Sequence, residues 1–290
     1  MSVLANMIDR GHEQVVCFND PKVGLKAIIA IHDTTLGPAL GGCRMWNYKS
    51  EEEALIDVLR LSKGMTYKAA IAGLKLGGGK SVIIGDSKKN KTTDLFESFG
   101  DFVNSLNGKY ITAEDVGTSE KDMEAVLRST AHVTGVSKNL GGGGDPSPIT
   151  AYGTYVGIKA SANYKLNVSS LSGLKIVVQG VGSVGESLIA HLCNDGADIY
   201  INDIDIDKME SVSNKYNVKT IDVKDLYSFD ADIYAPCALG ATVNDLTVNQ
   251  FKYSIIAGAA NNVLLDPIRH GSALMDRGIL FAPDYVINAG

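Results

Sequence analysis

The alternation of apolar and polar positions divides the chain into two stretches of different texture. In the first, Lys26–His32 (KAIIAIH) is a short, β-rich apolar run that predicts a strand. Glu51–Met65 (EEEALIDVLRLSKGM) opens on three carboxylates, continues with apolar residues at helical spacing and carries Arg60 and Lys63 near its end. That charge order suits a helix dipole. Ser81–Ile84 predicts a strand, and Asp94–Leu106 an amphipathic helix with Leu95, Phe99, Phe102 and Leu106 on or near one face. Tyr110–Ala113 predicts a short strand that ends in the polar pair Glu114-Asp115. The pattern then breaks at four consecutive glycines, Gly141–Gly144, followed by Asp145-Pro146-Ser147-Pro148. Such a stretch cannot continue a helix or a central strand, so it marks a loop or hinge.

Beyond the break, Ile149–Ala162 is helical in pattern. Short apolar runs then follow at 175–179, 198–202, 232–235, 254–257 and 279–282, separated by helical stretches or loops. Alternation of this kind favours a mainly parallel sheet covered by helices on both faces. The expected fold is α/β with two domains, residues 1–140 and 141–290, hinged near residues 135–150; the chain has no internal repeat or low-complexity tract.

Composition narrows the function. The 290 residues are 45% hydrophobic and 21% charged, as in an ordinary globular protein, and could also fill one large α/β domain. A formal charge of −6 argues against a general nucleic-acid or acidic-membrane surface. No apolar run reaches membrane-spanning length, and Met1–Gly11, which carries Asp9 and Arg10, lacks the apolar stretch of a signal peptide. Cys17, Cys43, Cys193 and Cys237 are scattered and form no CxxC pair, so free thiols are expected rather than disulfides or zinc ligands. The expectation is a cytoplasmic enzyme without metal, membrane or nucleic-acid partner.

Gly180-Val181-Gly182-Ser183-Val184-Gly185 fits G-x-G-x-x-G, directly after the apolar run KIVVQ and before the helical stretch ESLIAHLC. In a dinucleotide fold the first glycine permits the tight turn and the second lets the backbone approach a pyrophosphate. The third lets helix and strand pack closely, and the helix N-terminus supplies amide donors. Asp203, eighteen residues after Gly185, ends the next strand and is placed to bond a ribose 2′-hydroxyl. A carboxylate there repels a 2′-phosphate and no arginine lies nearby, so NAD is favoured over NADP. The plain alternative is a glycine-rich strand–helix turn beside a surface aspartate.

Lys63–Ser81 (KGMTYKAAIAGLKLGGGKS) ends in GGGKS, which suggests a phosphate loop. The first glycine of G-x-x-x-x-G-K-[ST] would have to be residue 74, which is Leu74, and the preceding residues are helical in pattern where such a loop follows a strand. Nucleotide hydrolysis is therefore a poor reading. Lys68 and Lys80 lie among small and apolar residues, where a desolvated ammonium has a lowered pKa and acts as a base, or stays charged and holds a carboxylate. Against this stands the general rule that most lysines are solvated surface groups. Asp115 sits at a predicted strand end, where loops carry chemistry; its plain role would be a cap or turn residue.

The stretches GPALGGCRMW (37–46), KGMTYKAAIAGLKLGGGKSVIIGD (63–86), YITAEDVGTS (110–119), DPSPITAYG (145–153), QGVGSVG (179–185), IYAPCALGATVND (233–245) and FAPDYVINAG (281–290) resemble the Glu/Leu/Phe/Val dehydrogenase family, and most of all its leucine-oxidising branch. The likeness runs from about residue 11 to residue 290. It implies an N-terminal substrate domain and a C-terminal Rossmann-type NAD domain with the active-site cleft between them. It also implies reversible oxidative deamination of an amino acid to a 2-oxo acid and ammonium. By the same resemblance, Lys68 and the backbone amides of Gly41 and Gly42 bind the substrate carboxylate. Lys80 activates water for attack on the imino acid, and Asp115 handles protons on the amine. Thr150 matches a threonine at the nicotinamide carboxamide, Asn262 an asparagine near substrate and ribose, and Ala238 and Asn261 join the cofactor contacts. Leu40, Met65 and Ala113 match the side-chain pocket.

An apolar pocket rejects a glutamate carboxylate, which would be buried without compensation. Branched aliphatic substrates are therefore expected, with phenylalanine or tryptophan as the alternative. Relatives are homo-oligomers, often octamers, assembled through the first domain. Family members continue beyond Asn288-Ala289-Gly290 into further pocket residues and helices. A chain ending there is expected to turn over poorly, and an impaired NAD-binding homologue is the remaining alternative.

Overall fold

The structure, a computed structural model, describes residues 2–143, 145–238 and 240–289. Of the residues discussed above, Met1, Gly144 and Gly290 lie outside the described residues. The chain forms two compact units, Met1–Pro146 and Ser147–Gly290.

The first unit contains α1 (Val3–Arg10), β1 (Gln14–Asp20), β2 (Leu25–Asp33), β3 (Ala39–Trp46), α2 (Glu51–Ile71), β4 (Gly77–Ile84), α3 (Thr93–Asn104), β5 (Tyr110–Glu114) and α4 (Glu120–Leu127). Its sheet has the order β1-β2-β4-β3-β5. β2 pairs antiparallel with β1 and β4, whereas β3 runs parallel to both β4 and β5. Alternate residues of the strands face opposite sides. Ile28, Ala30 and Val82 pack with Ala54, Leu55, Val58 and Leu59 of α2. Ile29, Ile31 and Ile83 pack with the Phe96, Phe99, Phe102, Met123 and Val126 core of α3 and α4. The Ser50 side chain caps α2 by accepting from Glu53 N, ahead of the three glutamates of the first turn.

Two differences from the expected elements matter for the site. α2 continues past Met65 to Ile71, and β4 begins at Gly77, so the triple glycine is strand rather than approach loop. The physical reason is backbone proximity. A Cβ at Gly78 would overlap Thr66 N and Oγ1, and one at Gly79 would come within 2.7 Å of the Tyr110 ring. α2 thus rests on the bare main chain of β4, and glycine in a strand is required where another backbone comes this close. β3, which like β1 the apolar pattern did not show, carries Gly41 and Gly42 for a similar reason: a Cβ at Gly41 would overlap the Gly79 carbonyl.

The second unit contains α5 (Ser147–Leu166), β6 (Lys175–Gln179), α6 (Ser183–Asn194), β7 (Asp198–Asn202), α7 (Ile206–Tyr216), β8 (Lys219–Thr220), β9 (Ile233–Pro236), β10 (Ile255–Ile256), α8 (Pro267–Asp276), β11 (Leu280–Phe281) and α9 (Asp284–Ile287). Every strand pair is parallel, in the order β11-β10-β9-β6-β7-β8. The order reverses between β6 and β9, which is the switch point of a doubly wound sheet. Ile176, Val178, Ile199 and Ile201 pack one face against Leu188, Ile189 and Leu192 of α6, and Val177, Tyr234 and Ile256 pack the other with Phe251 and Leu274.

Candidate active site

The first unit carries a buried ionic cluster. Lys80, in β4, is only 3% exposed, and its Nζ lies 3.0 Å from Asp115 Oδ2. Arg44 of β3 donates from Nε to the same Asp115 oxygen at 3.0 Å and from Nη1 to Asp57 Oδ2 of α2 at 3.0 Å. The Tyr48 hydroxyl donates to that Asp57 oxygen at 2.7 Å. Two cations and two carboxylates therefore share one largely buried cluster, with Lys80 its most buried member.

Backbone geometry places this cluster. Gly42 pairs with Ala113 of β5, and a Cβ on it would come within 2.9 Å of Asp115 Cβ, so its bare backbone lets the turn after β5 cross β3. Thr118 Oγ1 accepts from Asp115 N at 2.9 Å and donates to Cys43 O at 2.8 Å, tying that turn down. Gly117, at φ 81°, takes the left-handed conformation against the Met45 carbonyl.

Electrostatics follow from burial. Desolvation pushes the Lys80 ammonium to a lower pKa, Arg44 pushes the same way, and Asp115 opposes them without cancelling the shift. Burial alone would raise the Asp115 carboxyl, but the charges of Lys80 and Arg44 outweigh it and hold the group well below the usual carboxylate range. The arrangement is a base that is easy to deprotonate beside an anion that is hard to protonate.

The other residues read from the first stretch lie near this cluster in sequence and register. Leu40 pairs with Gly78 and Ile111, and Gly41 pairs with Thr112, in the same strands as Lys80 and Ala113. Gly41 and Gly42 are buried; Leu40 and Ala113 are half-buried. Met65 and Lys68 are half-buried on α2, either side of the Thr66 contact with Gly78.

In the second unit the glycine loop joins β6 to α6. Gly180 has φ 98°, and a Cβ there would meet Ala238 N and Cys237 at 2.9 Å. A Cβ at Gly185 would overlap the Gly180 carbonyl, so helix and strand are in close contact. Gly182 is different: a Cβ on it meets nothing within 4 Å, and it caps α6 without a side-chain acceptor. The start of α6 thus carries a glycine with free space where a side chain would stand, as expected for a phosphate-binding turn. Ser183 is exposed, Val184 half-buried and Val181 buried. Asp203, one residue after β7, accepts from Val181 N at 2.7 Å and Asp205 N at 2.9 Å, which aligns its carboxylate with the loop.

Ala238 follows β9 and Asn261 and Asn262 follow β10, so all three stand beyond strand C-termini beside the switch point. Asn261 Oδ1 accepts from Asn288 Nδ2 at 2.8 Å, and Asn262, at φ 54°, accepts from Ala241 N at 2.8 Å. Thr150 is half-buried near the start of α5.

Arg44, Asp57 and Tyr48 were not singled out in the sequence. One signal was there: Asp57 interrupts the buried face of α2 within EALIDVL, where a lone charge needs a partner. Among the described residues no helix is long and apolar enough to cross a membrane, no group of His, Cys, Asp and Glu could hold a metal, and the four cysteines are free.

A doubly wound sheet with a bare glycine loop at its switch point, together with a desolvated lysine–carboxylate pair, defines a dinucleotide-dependent oxidoreductase. Residues 12–132 match the family described as Glu/Leu/Phe/Val dehydrogenase, dimerisation domain, and residues 200–290 match Glutamate/Leucine/Phenylalanine/Valine dehydrogenase. The chain is 53% identical over 290 residues to the leucine dehydrogenase of Bacillus subtilis (strain 168), covering 100% of this chain and 79% of that protein. It is 49% identical over 284 residues to the phenylalanine dehydrogenase of Caldalkalibacillus thermarum (strain TA2.A1), covering 96% and 76% of the two. The crystal structure of L-tryptophan dehydrogenase from Nostoc punctiforme superposes with a TM-score of 0.75 at 44% identity, covering 99% of this chain and 81% of that one. The chain belongs to the Glu/Leu/Phe/Val dehydrogenase family and is an amino-acid dehydrogenase that uses a nicotinamide dinucleotide.

Proposed function

We propose that this enzyme oxidatively deaminates leucine and other branched aliphatic amino acids with NAD, reversibly, to 2-oxo acids and ammonium. The observation that carries the reading is the buried Lys80–Asp115 pair at 3.0 Å. Lys68 and the amides of Gly41 and Gly42 hold the substrate carboxylate, and Leu40, Met65 and Ala113 line the side-chain pocket. The apolar character of those three residues favours aliphatic substrates over glutamate.

The second unit holds NAD. Gly180, Val181, Gly182, Ser183, Val184 and Gly185 form the pyrophosphate turn, Asp203 bonds the ribose, and Thr150, Ala238, Asn261 and Asn262 complete the contacts. The open face of Gly182 and the uncapped start of α6 fit such a group. When bound, the nicotinamide supplies the acceptor for the substrate Cα hydride, leaving an imino acid. Lys80 as free base takes a proton from the water that attacks the imino carbon. Asp115 carries a proton to the amino nitrogen so that ammonium can leave. The lowered pKa of Lys80 suits the first task, and a carboxyl held this far down accepts a proton only in passing and gives it up at once to the more basic amino nitrogen. The enzyme is further proposed to be cytoplasmic and a homo-oligomer, an octamer built through the first unit.

Relatives named phenylalanine and tryptophan dehydrogenases at 49% and 44% identity keep a second reading open, in which an aromatic amino acid is preferred. Among aliphatic substrates discrimination is intrinsically small, since one methylene is worth about 1–3 kcal/mol. The test is NADH formation with NAD and leucine, valine, isoleucine, phenylalanine, tryptophan or glutamate. Leucine, valine and isoleucine are expected to lead; a dominant aromatic substrate selects the second reading. Lys80→Ala should abolish turnover while NAD binding persists, and normal turnover by that variant would overturn the mechanism.

A further inference from the structure

The reading of Lys80 and Asp115 leaves Arg44 without a role, although it is their most intimate neighbour. Its side chain is 12% exposed, its Nε bonds the Asp115 oxygen that Lys80 also touches, and its Nη1 bonds Asp57. We propose that Arg44 is a positioning residue whose fixed charge clamps the Asp115 carboxylate and sets the pH at which Lys80 becomes a base, with Asp57 and Tyr48 as its counterweight. This rests on the proposed catalytic roles of Lys80 and Asp115.

The geometry supports both halves. Arg44 Nε and Lys80 Nζ each lie 3.0 Å from Asp115 Oδ2, so the two cationic nitrogens are within about twice that distance of each other. A guanidinium stays charged at any working pH, and its planar fork can face two carboxylates at once, which an ammonium cannot do as rigidly. Arg44 therefore repels a proton on Lys80, while Asp57 draws off part of that repulsion and is itself held by the Tyr48 hydroxyl. Two further ionisable neighbours, on β3 and β5, are silent near neutral pH, and Lys68 of α2, proposed above to hold the substrate carboxylate, is unchanged in every variant below. Burial pushes the Cys43 thiol up to about 12 and the Tyr110 hydroxyl well above its usual value, so both stay uncharged. The β2 partner of Lys80 is Ala30, which carries no charge.

The signs are opposite for the two neighbours. Arg44→Gln removes a positive charge, so Lys80 holds its proton to higher pH; Asp57→Asn removes a negative charge, so Lys80 releases it at lower pH. For unit charges at such separations in an effective dielectric near 20, the Arg44 effect is about one to two pH units and the more distant Asp57 effect roughly half that.

The experiment is the pH profile of kcat/KM for oxidative deamination at saturating NAD, with the amino acid that turns over fastest. In Arg44→Gln the acidic limb should move up by about one to two units, giving a loss of roughly ten- to a hundredfold near neutral pH that recovers at alkaline pH. Asp57→Asn should move the limb down. Arg44→Lys, which keeps the charge but not the fork, should keep the limb near wild type while lowering kcat at every pH. If the limbs stay in place, or all variants lose activity equally at every pH, the proposal is overturned. If Arg44→Gln fails to fold, Asp57→Asn decides alone, because an unmoved or raised limb there contradicts it. Failure of the underlying reading looks different: Lys80→Ala would then remain active.

Discussion

Gly182 and Gly185 belong to the same motif but are glycine for separable reasons, and alanine substitution should separate them. At Gly185 a Cβ would overlap the Gly180 carbonyl and come within 3.0 Å of its carbon. These are buried main-chain atoms that cannot rotate away, so α6 must shift from β6. Overpacking of this kind costs about 1–3 kcal/mol, which lowers the melting temperature of a domain near 150 residues by roughly 3–10 °C. At Gly182 the backbone has φ −63° and ψ −172°, open to any residue, and nothing lies within 4 Å of a Cβ. Replacing glycine by alanine at a helix N-cap then costs less than about 1 kcal/mol. The added methyl stands where the pyrophosphate is proposed to approach, and a tenfold weakening of NADH binding corresponds to about 1.4 kcal/mol. Differential scanning fluorimetry and fluorescence titration with NADH on both variants give the comparison. Gly182→Ala should melt within about 3 °C of wild type and bind NADH at least tenfold more weakly, whereas Gly185→Ala should melt clearly lower. Equal melting of the two variants, or wild-type NADH affinity in Gly182→Ala, would refute the reasoning.

Three further outcomes are expected. The buried His12 ring, 8% exposed, has its pKa lowered to about 4, by burial first and then by His32. The folded state thus takes up this proton later than the unfolded chain, and stability should be lost as pH falls from about 6.5 towards about 4. The loss is about 3 kcal/mol, read from urea melts and reduced in His12→Gln. Gly78→Ala puts a methyl into Thr66 N and Oγ1, so it should cost about 2–3 kcal/mol and lower kcat, because Lys80 lies two residues on; an unchanged melting curve would contradict the main-chain contact. In native protein a thiol reagent should label the exposed Cys17 first and Cys43 only on unfolding, as counted by mass spectrometry against time.

Much of the second unit was readable because its chemistry is local. The run KIVVQ, the glycine hexad and Asp203 lie within a single strand–turn–helix–strand segment, and the structure places them at β6, α6 and the end of β7. β8, only Lys219–Thr220, is too short to leave an apolar signature. In the first unit, β2 is a continuous apolar run and α3 carries a periodic apolar face, and both were visible. β3 and the start of β4 were not, because Gly41, Gly42 and Gly77–Gly79 weaken the pattern that marks a strand. Their glycines answer to neighbours far away in sequence, such as Thr66 and Tyr110. The Arg44–Asp57 contact was invisible for the same reason: it exists only once β3 and α2 have found their places against the sheet.

The glycine-lined floor under Lys80 has a consequence for how such an enzyme can change. Main chain touches main chain at Gly78 and Thr66 and at Gly41 and Gly79, so the backbone that carries Lys80 is set largely by main-chain contacts. Residues proposed to line the pocket, such as Leu40, Met65 and Ala113, can then be exchanged without dragging Lys80 along with them. A scaffold built this way decouples what is recognised from what is done to it, and relatives named for leucine, phenylalanine and tryptophan fit variation of that kind.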